Sequence, residues 1–462
     1  MRPARWRPST HFLIGAAVVV TVAVVVTVAA LLTGGGSSGG TSAVDGEPAA
    51  VTAKPAVVPL PDSAPQPTPA GLAAALSQPL ANRDLGQLTG RVTDAISGTQ
   101  LWEQGSQVPL KPASTNKLLT AGAALLTLNH DARQTTTVMA ADQTKQPGLI
   151  VLVGAGDPTL SSAAPGQEPR YHDAGRIADL AAQIRNSGIK VTAIQVDGSL
   201  FSGPSLAPGW DPADIQGGDM APIEAVMVDG GRTQPLTLDS VGSFTPALDA
   251  GKSLAAALDV DPKAVTMANV PLRDGHQIAS VQSAPLIERL SEMMNHSDNV
   301  MAECIGREVA VATGRPATFA GSVDAVTKTL AGAGVDITGA TLMDSSGLSV
   351  DDRLTAKALD DVIGAAAGSN HPSMRPLLDL LPIAGGSGTL SNRYNDPQTD
   401  DAAGWLRAKT GSLTQTNTLA GIVTDVSGRV LTFALMSNDA GPTGRTALDD
   451  LAATLRTCGC GS

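Results

Sequence analysis

The strongest constraint in this sequence is a run that has helical periodicity and is apolar on nearly every face. After Pro112, which opens it, Leu118, Ala121, Leu125 and Leu128 recur at helical spacing, and Leu119, Ala123 and Leu126 fill the neighbouring stripe. A helix with no polar face to give to water belongs at the centre of a domain, with other elements packed around it. Gly122 within it costs helix propensity but lets a neighbour approach closely. Aromatic residues make up only 2% of the chain, so the surrounding core has to be built from Ala, Val, Leu and Ile.

At 462 residues the chain exceeds what one hydrophobic core serves. Residues 88–102 alternate around Ser97-Gly98 as a hairpin, and residues 418–426 and 430–436 do the same around Ser427-Gly428, followed by a helix over 445–457. Strands at both ends with helices between imply an α/β fold whose sheet takes its first strands from the N-terminal side. From residue 284 a second helical region places Leu286, Ile287, Leu290, Met293 and Met294 on one face, breaks at 296–299 and resumes at Val300. Between about 141 and 280, short strand-like runs (149–153, 191–196, 226–229) alternate with Gly/Pro-rich loops around one helix at 174–187. This stretch is expected to be an inserted, mostly-β domain.

Arg2, Arg5 and Arg7 precede an uncharged apolar run from Leu13 to Leu32. About 20 such residues at ~1.5 Å rise cross a ~30 Å hydrocarbon layer. The next basic residue is Lys54, so the arginines stay on the cytoplasmic side. The expected layout is a cytoplasmic N-terminus (1–11), a transmembrane anchor (12–33) and a flexible tether rich in Gly, Ser, Pro and Ala (34–70). The folded part then comprises 71–140 and 281–462, interrupted by the insertion at 141–280. Such a chain sits on the outer face of the cytoplasmic membrane. A cleaved signal peptide, which would leave a secreted or periplasmic protein, is the alternative, although its apolar region normally spans about 7–15 residues.

The net charge of −12, with no cluster of Lys and Arg, excludes nucleic acid as the main partner. Cys304, Cys458 and Cys460 make no disulfide framework, though outside the membrane one pair could bridge. Neither the Cys458-Gly459-Cys460 tail nor the scattered Asp142, Asp157 and Asp173 has the spacing of a ligand set, and no metal is expected.

Three short motifs occur in order: Ser114-Thr115-Asn116-Lys117 at the start of the buried helix, Ser297-Asp298-Asn299 in the break between two helices, and Lys409-Thr410-Gly411 before the C-terminal hairpin. A serine hydroxyl is a weak nucleophile without an adjacent base. Residues i and i+3 share a helix face, so Lys117 can reach the Ser114 hydroxyl. Burial beside a second cation, Lys409, should bring Lys117 toward neutrality and free its amine to take the proton. The helix N-terminus offers amide donors to a developing oxyanion. Lys409-Thr410-Gly411 fits an edge strand beside the site. Gly411 there would let a substrate approach the backbone, and Lys409 and Thr410 can hold a carboxylate, as cleavage of a C-terminal residue requires. Ser187-Gly188-Ile189-Lys190 matches the first motif too, but Gly188 and the strand after it deny it a helix start.

The ordered set Ser-x-x-Lys, Ser-x-Asn, Lys-Thr-Gly resembles the signature of the penicillin-binding protein and serine β-lactamase superfamily. The stretches KPASTNKLLTAGAAL, VGAGDPTL, APIEAVMVDGG, NHSDNVMAE, DSSGLSVDDRLT, LPIAGGSGTL and RAKTGSLTQTNTLAG are similar to the penicillin-binding protein 4 type of D-alanyl-D-alanine carboxypeptidase. The resemblance implies a β-lactamase/transpeptidase-like domain, an antiparallel sheet flanked by helices. It implies that Ser114 is acylated, that Lys117 is its general base, and that Ser297 relays a proton to the leaving amine. Asn299 would hydrogen-bond Lys117 and the substrate amide, and Lys409 and Thr410 would take the terminal carboxylate. The backbone N–H groups of Ser114 and Ser412 would form the oxyanion hole. Substrates would be the D-Ala-D-Ala ends of peptidoglycan stem peptides, with cross-links as a second target for endopeptidase action. β-Lactams would stall as covalent inhibitors, and no cofactor is implied. Two positions depart from the family: Ser345 stands where Gly is usual, and Val350 where Arg is usual, with Arg353 close by.

Two rivals share these motifs. A serine β-lactamase needs fast deacylation, which in one class uses a Glu between the second and third motifs; after Glu308 the chain has none. A non-catalytic β-lactam sensor or structural module would have to signal inward through a very short N-terminus. His296, beside Ser297, invites a Ser-His-Asp reading, but Gly-x-Ser-x-Gly occurs only within 35–40, in the tether. Gly154-Ala155-Gly156-Asp157-Pro158 is expected to be a turn and not a nucleotide loop, since Thr159 stands where the third Gly belongs. Met293 and Met294 are expected to fill core.

Overall fold

The computed structural model describes residues 63–237, 240–272 and 275–459. The expected membrane segment and most of the tether lie outside these residues. Among the described residues no helix is long and apolar enough to cross a membrane. In chain order the strands are β1 (Gln87–Asp94), β2 (Gln100–Gln104), β3 (Thr135–Ala140), β4 (Leu149–Val153), β5 (Ala193–Asp197), β6 (Val265–Met267), β7 (His276–Gln282), β8 (Leu406–Leu413), β9 (Thr416–Thr424) and β10 (Val430–Asn438). They form two sheets, ordered β2-β1-β10-β9-β8 and β6-β5-β4-β3-β7. The first is antiparallel throughout. Both expected hairpins are there, and the N-terminal strands join the sheet through β10.

Side-chain alternation explains how this sheet is sandwiched. In β10, Leu431, Phe433 and Leu435 point into a core shared with Leu448, Leu451 and Ala452 of the Gly444–Thr457 helix. Ala434 and Met436 point the other way, into a core shared with Leu359 and Ile363 of the Ala356–Ala367 helix. That second core holds the central helix, Lys117–Thr127, which is buried from Lys117 to Leu125. A Cβ at Gly122 would sit 3.2–3.4 Å from the Met374, Leu330 and Val362 side chains, so the expected close approach comes from three segments at once. Met293 and Met294 lie in the same core. The α-helix does not begin at Pro112: Ala113 takes φ +47, residues Ala113–Asn116 form a 3-10 turn, and the α-helix starts at Lys117.

The second sheet corrects the expectation of a mostly-β insertion. β4, β5 and β6 run parallel, and parallel neighbours need covering crossovers. The helices Ile177–Asn186 and Pro246–Ala257 supply them, placing Leu180, Ile184, Ala250 and Leu254 against Ile150, Leu152, Ile194 and Val196. The runs at 149–153 and 191–196 become β4 and β5. The run at 226–229 makes only an isolated bridge, from Val226 to Asp157, because Asp229 (φ +51) and Gly230 (φ +66) leave the extended conformation. Order also begins before Gly71. The Ala64 carbonyl accepts from Arg429 (3.2 Å), and the Thr68 hydroxyl caps the Pro69–Leu76 helix by accepting from the Gly71 N–H (3.1 Å). Cys458 is disulfide-bonded and Cys304 is a buried free thiol.

Candidate active site

The Leu286–His296 helix ends at Ser297, which takes φ +57, and Asp298 immediately caps the Asn299–Ala312 helix by accepting from the Met301 N–H (3.0 Å). This corner brings the second motif to the first. Lys117 Nζ lies 2.9 Å from Ser114 Oγ, 2.6 Å from Asn299 Oδ1 and 2.8 Å from the Ser346 carbonyl. A neutral amine has two N–H groups and one lone pair. Asn299 and Ser346 can accept the two protons, which leaves the lone pair for the Ser114 hydroxyl. Burial lowers Lys117 to about 8, against the upward pull of Asp344, Asp298, Glu303 and Asp352.

Burial, more than the second cation, accounts for that shift. Lys409 itself is pushed well below the usual lysine range, first by burial and then by the charge of Lys117. It donates to Ser297 Oγ (3.0 Å) and to the Thr410 carbonyl (3.0 Å). Ser114 is thus wired to Lys117, and Ser297 to Lys409. Both lysines lie fully buried beneath a cleft of about 790 Å³ whose lining includes Ser114, Ser297, Asn299, Thr410 and Ser412.

β8 is the edge strand that the sequence indicated, and Gly411 has a further reason to be glycine. A Cβ there would fall 2.2 Å from Thr418 Oγ1, 2.8 Å from the Pro112 carbonyl and 2.9 Å from Ser114 N. The missing side chain lets β8 pack directly on the turn that carries Ser114. Gly411→Ala should therefore separate strand from turn and slow acylation by roughly 10²-fold, the cost of a displacement near 1 Å. A penicillin acylation rate equal to wild type would show that the turn gives way freely.

The DSSGLS loop supplies a contact that motif reading missed. Asp344 accepts from the N–H groups of Ser346 (3.0 Å), Gly347 (2.6 Å) and Ser349 (2.8 Å) and from the Trp210 indole (2.7 Å). The loop so wound aims the Ser346 carbonyl at Lys117. Gly347 has φ +82, and a Cβ there would lie 1.9 Å from the Ala113 carbonyl. Ser345, in place of the usual Gly, is accommodated by Gly306, where a Cβ would come 2.3 Å from Ser345 Oγ. Val350 is half exposed, and Arg353 does not stand in for the usual Arg, since its guanidinium turns back to the carbonyls of Val350 (2.9 Å) and Asp352 (2.7 Å).

Residues between the first two motifs hold the second in place. Tyr171 donates to Asp298 Oδ2 (2.7 Å), Arg232 reaches both that oxygen (3.2 Å) and the Tyr171 hydroxyl (2.7 Å), and the Asn299 amide donates to the Asp219 carbonyl (2.9 Å). Burial alone would raise Asp298. Arg232, the Met301 N–H and the Tyr171 hydroxyl together outweigh it and hold the carboxyl down at about 2. Glu303 is fully buried and pushed up to about 7 by that burial; it accepts from the Ser345 N–H (2.9 Å) and pairs with Arg307 (3.4 Å). His296 is exposed and faces Glu292 (3.4 Å), outside the network. Ser187 and Lys190 are exposed just after the Ile177–Asn186 helix and take part in none of these contacts. Asp157 accepts from the Thr159 N–H (2.8 Å) and hydroxyl (2.6 Å), as a turn does. Among the described residues no three His, Cys, Asp or Glu side chains are placed to share a metal ion.

Comparison with known proteins places the chain in a family. The family model described as "D-Ala-D-Ala carboxypeptidase 3 (S13) family" matches residues 72–242 and 237–455, and one described as "Carboxypeptidase Rv3627c-like, N-terminal domain" matches residues 1–59. A protein named Carboxypeptidase DacB from Mycolicibacterium smegmatis is 64% identical over 463 residues, covering 100% of both chains. A carboxypeptidase from Mycobacterium tuberculosis is 61% identical over 461 residues, again covering 100% of both. Among solved structures, penicillin binding protein 4 from Haemophilus influenzae has the same fold, with a TM-score of 0.68 at 23% identity over 83% of this chain and 98% of that one. With nearly all of the folded part matched by one family model and two full-length relatives above 60% identity, the chain belongs to the D-Ala-D-Ala carboxypeptidase 3 (S13) family.

Proposed function

We propose that this chain is a serine-type D-Ala-D-Ala carboxypeptidase that acts on peptidoglycan stem peptides through an acyl-enzyme on Ser114. The observation that carries the reading is the buried Lys117 amine 2.9 Å from the hydroxyl of a serine that lines the cleft. Family membership and the names of its two full-length relatives support it. Lys117 takes the Ser114 proton as Oγ attacks the carbonyl of the penultimate D-Ala, and the N–H groups of Ser114 and Ser412 receive the oxyanion. Collapse breaks the peptide bond, and the proton taken by Lys117 is relayed through the Ser297 hydroxyl to the departing D-Ala amine, which leaves Lys117 neutral and Ser297 protonated. Water then hydrolyses the ester. Asn299 positions Lys117 and the substrate amide, while Lys409 and Thr410 take the terminal carboxylate. β-Lactams acylate Ser114 and stall there. Cross-linked peptide bonds are substrates to the extent that the cleft admits them. The segment 12–33 holds the enzyme at the outer face of the cytoplasmic membrane, or directs its secretion if it is cleaved.

Against the β-lactamase alternative, no Glu among the described residues lines the cleft, and Glu303 is fully buried. The test is to incubate the protein with an acylated D-Ala-D-Ala peptide, with benzylpenicillin and with nitrocefin. Release of D-Ala and a long-lived penicillin adduct on the peptide containing Ser114 are expected. Rapid nitrocefin turnover without D-Ala release would establish the β-lactamase, and an adduct with no D-Ala release a binding module.

A further inference from the structure

The segment LPIAGGSGTL, Leu381 to Leu390, has no part in the mechanism above, yet it is built against the site. The Ala384 N–H bonds the Leu406 carbonyl and the Ala408 N–H bonds the Pro382 carbonyl, both at 2.9 Å, so the segment runs antiparallel beside the first half of β8. It then turns away, with the Ser387 hydroxyl accepting from the Ile383 N–H (3.1 Å), and closes as a 3-10 turn, Gly388–Leu390. Gly388 has φ +55, and a Cβ there would lie 2.7 Å from Asn295 Oδ1 and 2.9 Å from the Asn295 carbonyl. The turn is thereby pressed onto the end of the helix that delivers Ser297. Its next residue, Thr389, lines the cleft with its hydroxyl 2.8 Å from that of Thr410.

We propose that Thr389 is a specificity-determining residue for the free C-terminal carboxylate, acting by orienting the Thr410 hydroxyl. The inference rests on the reading that Lys409 and Thr410 take that carboxylate. Each hydroxyl has one proton and two lone pairs, so within a pair one donates and the other accepts. If Thr410 donates to Thr389, it turns a lone pair to the cleft and repels an anion. If Thr389 donates to Thr410, the Thr410 proton is free to point at the carboxylate, and the two dipoles in series reinforce each other. An arriving carboxylate selects the second order, and Thr389 is the group that makes that order complete.

The test compares Thr389→Val, Thr389→Ser and Thr410→Val on a pair of reactive substrates, a D-alanyl thioglycolate thioester with a free carboxylate and its methyl ester. Thermal melting confirms that each variant is folded. Thr389→Val should lose about 10-fold in kcat/KM on the free acid, mainly through KM, and less than about 2-fold on the ester; Thr389→Ser should recover most of the loss. If Thr410→Val erases the preference for the acid while Thr389→Val does not, the role of Thr389 is wrong and the carboxylate clamp stands. If neither variant alters the preference, the clamp itself is wrong and Thr389 falls with it. Equal losses on both substrates would make Thr389 merely structural and overturn the proposal.

Discussion

Ser114→Ala should abolish covalent labelling by penicillin, whereas Lys117→Met should leave labelling measurable but slower by about 10²–10⁴-fold, the range that a general base contributes. The difference follows from what each group does. Without Oγ no acyl-enzyme bond can form; without the amine, the hydroxyl remains in place, held by the same turn, but has no acceptor for its proton. The pH dependence separates the two roles further. Lys117 works as a base only when neutral, and burial brings it down to about 8. Below that pH the ammonium form dominates and acylation should fall; above it the rate should level off. In Lys117→Met that rise through about pH 8 should disappear. The measurement is the second-order rate of acylation by a fluorescent penicillin between pH 6 and 10. Labelling that survives in Ser114→Ala would reject the nucleophile, and an unchanged pH profile in Lys117→Met would reject the base.

The parts legible in the sequence are those in which local pattern and final position agree. Ser114 and Lys117 meet because they stand one turn apart, and the two hairpins form where alternation meets Ser-Gly. Other contacts have no such signature. The third partner of Lys117 is the Ser346 carbonyl, and the partner of the Asn299 amide is the Asp219 carbonyl. Every residue owns a carbonyl, so only the folded loop reveals which one is used. The Pro246–Ala257 helix escaped notice because its Ala and Gly residues give little apolar contrast, although Gly251 lets it sit against Val196 and Val265. The sequence reading of Gly411 is close approach of a substrate to the backbone. The turn bearing Ser114 approaches it as well. Lys409 and Lys117 push on each other, but burial is the first cause of the lowering at each of them.

Arg232→Met should destabilise the protein by about 3 kcal/mol at pH 7, because removing one partner of a buried pair leaves the other charge uncompensated. The abandoned charge is Asp298, which is 4% exposed and keeps the Tyr171 hydroxyl, the Met301 N–H and the weaker pull of Arg170. Asp298 stands between Ser297 and Asn299, so acylation should slow as well, in kcat more than in KM if geometry is what is lost. The pH dependence has a definite sign. The folded-state value of Asp298 is depressed to about 2 from an ordinary 3.8. Its contribution to stability is therefore complete above pH 4 and disappears as pH falls from about 4 toward 2. Without Arg232, burial raises Asp298 above its ordinary value, so the gap in melting temperature between wild type and Arg232→Met should be widest near neutrality and should begin to close above pH 4, continuing as pH falls toward about 2. Arg232→Met combined with Asp298→Asn should regain much of the stability, since no charge is then left unpaired, while acylation stays slow if the clamp sets the positions of Ser297 and Asn299. A gap that is as wide at pH 3 as at pH 7 would mean that Arg232 acts through packing alone, and the link from the residues between the first two motifs to Asn299 would then have to be sought in the Asp219 carbonyl instead.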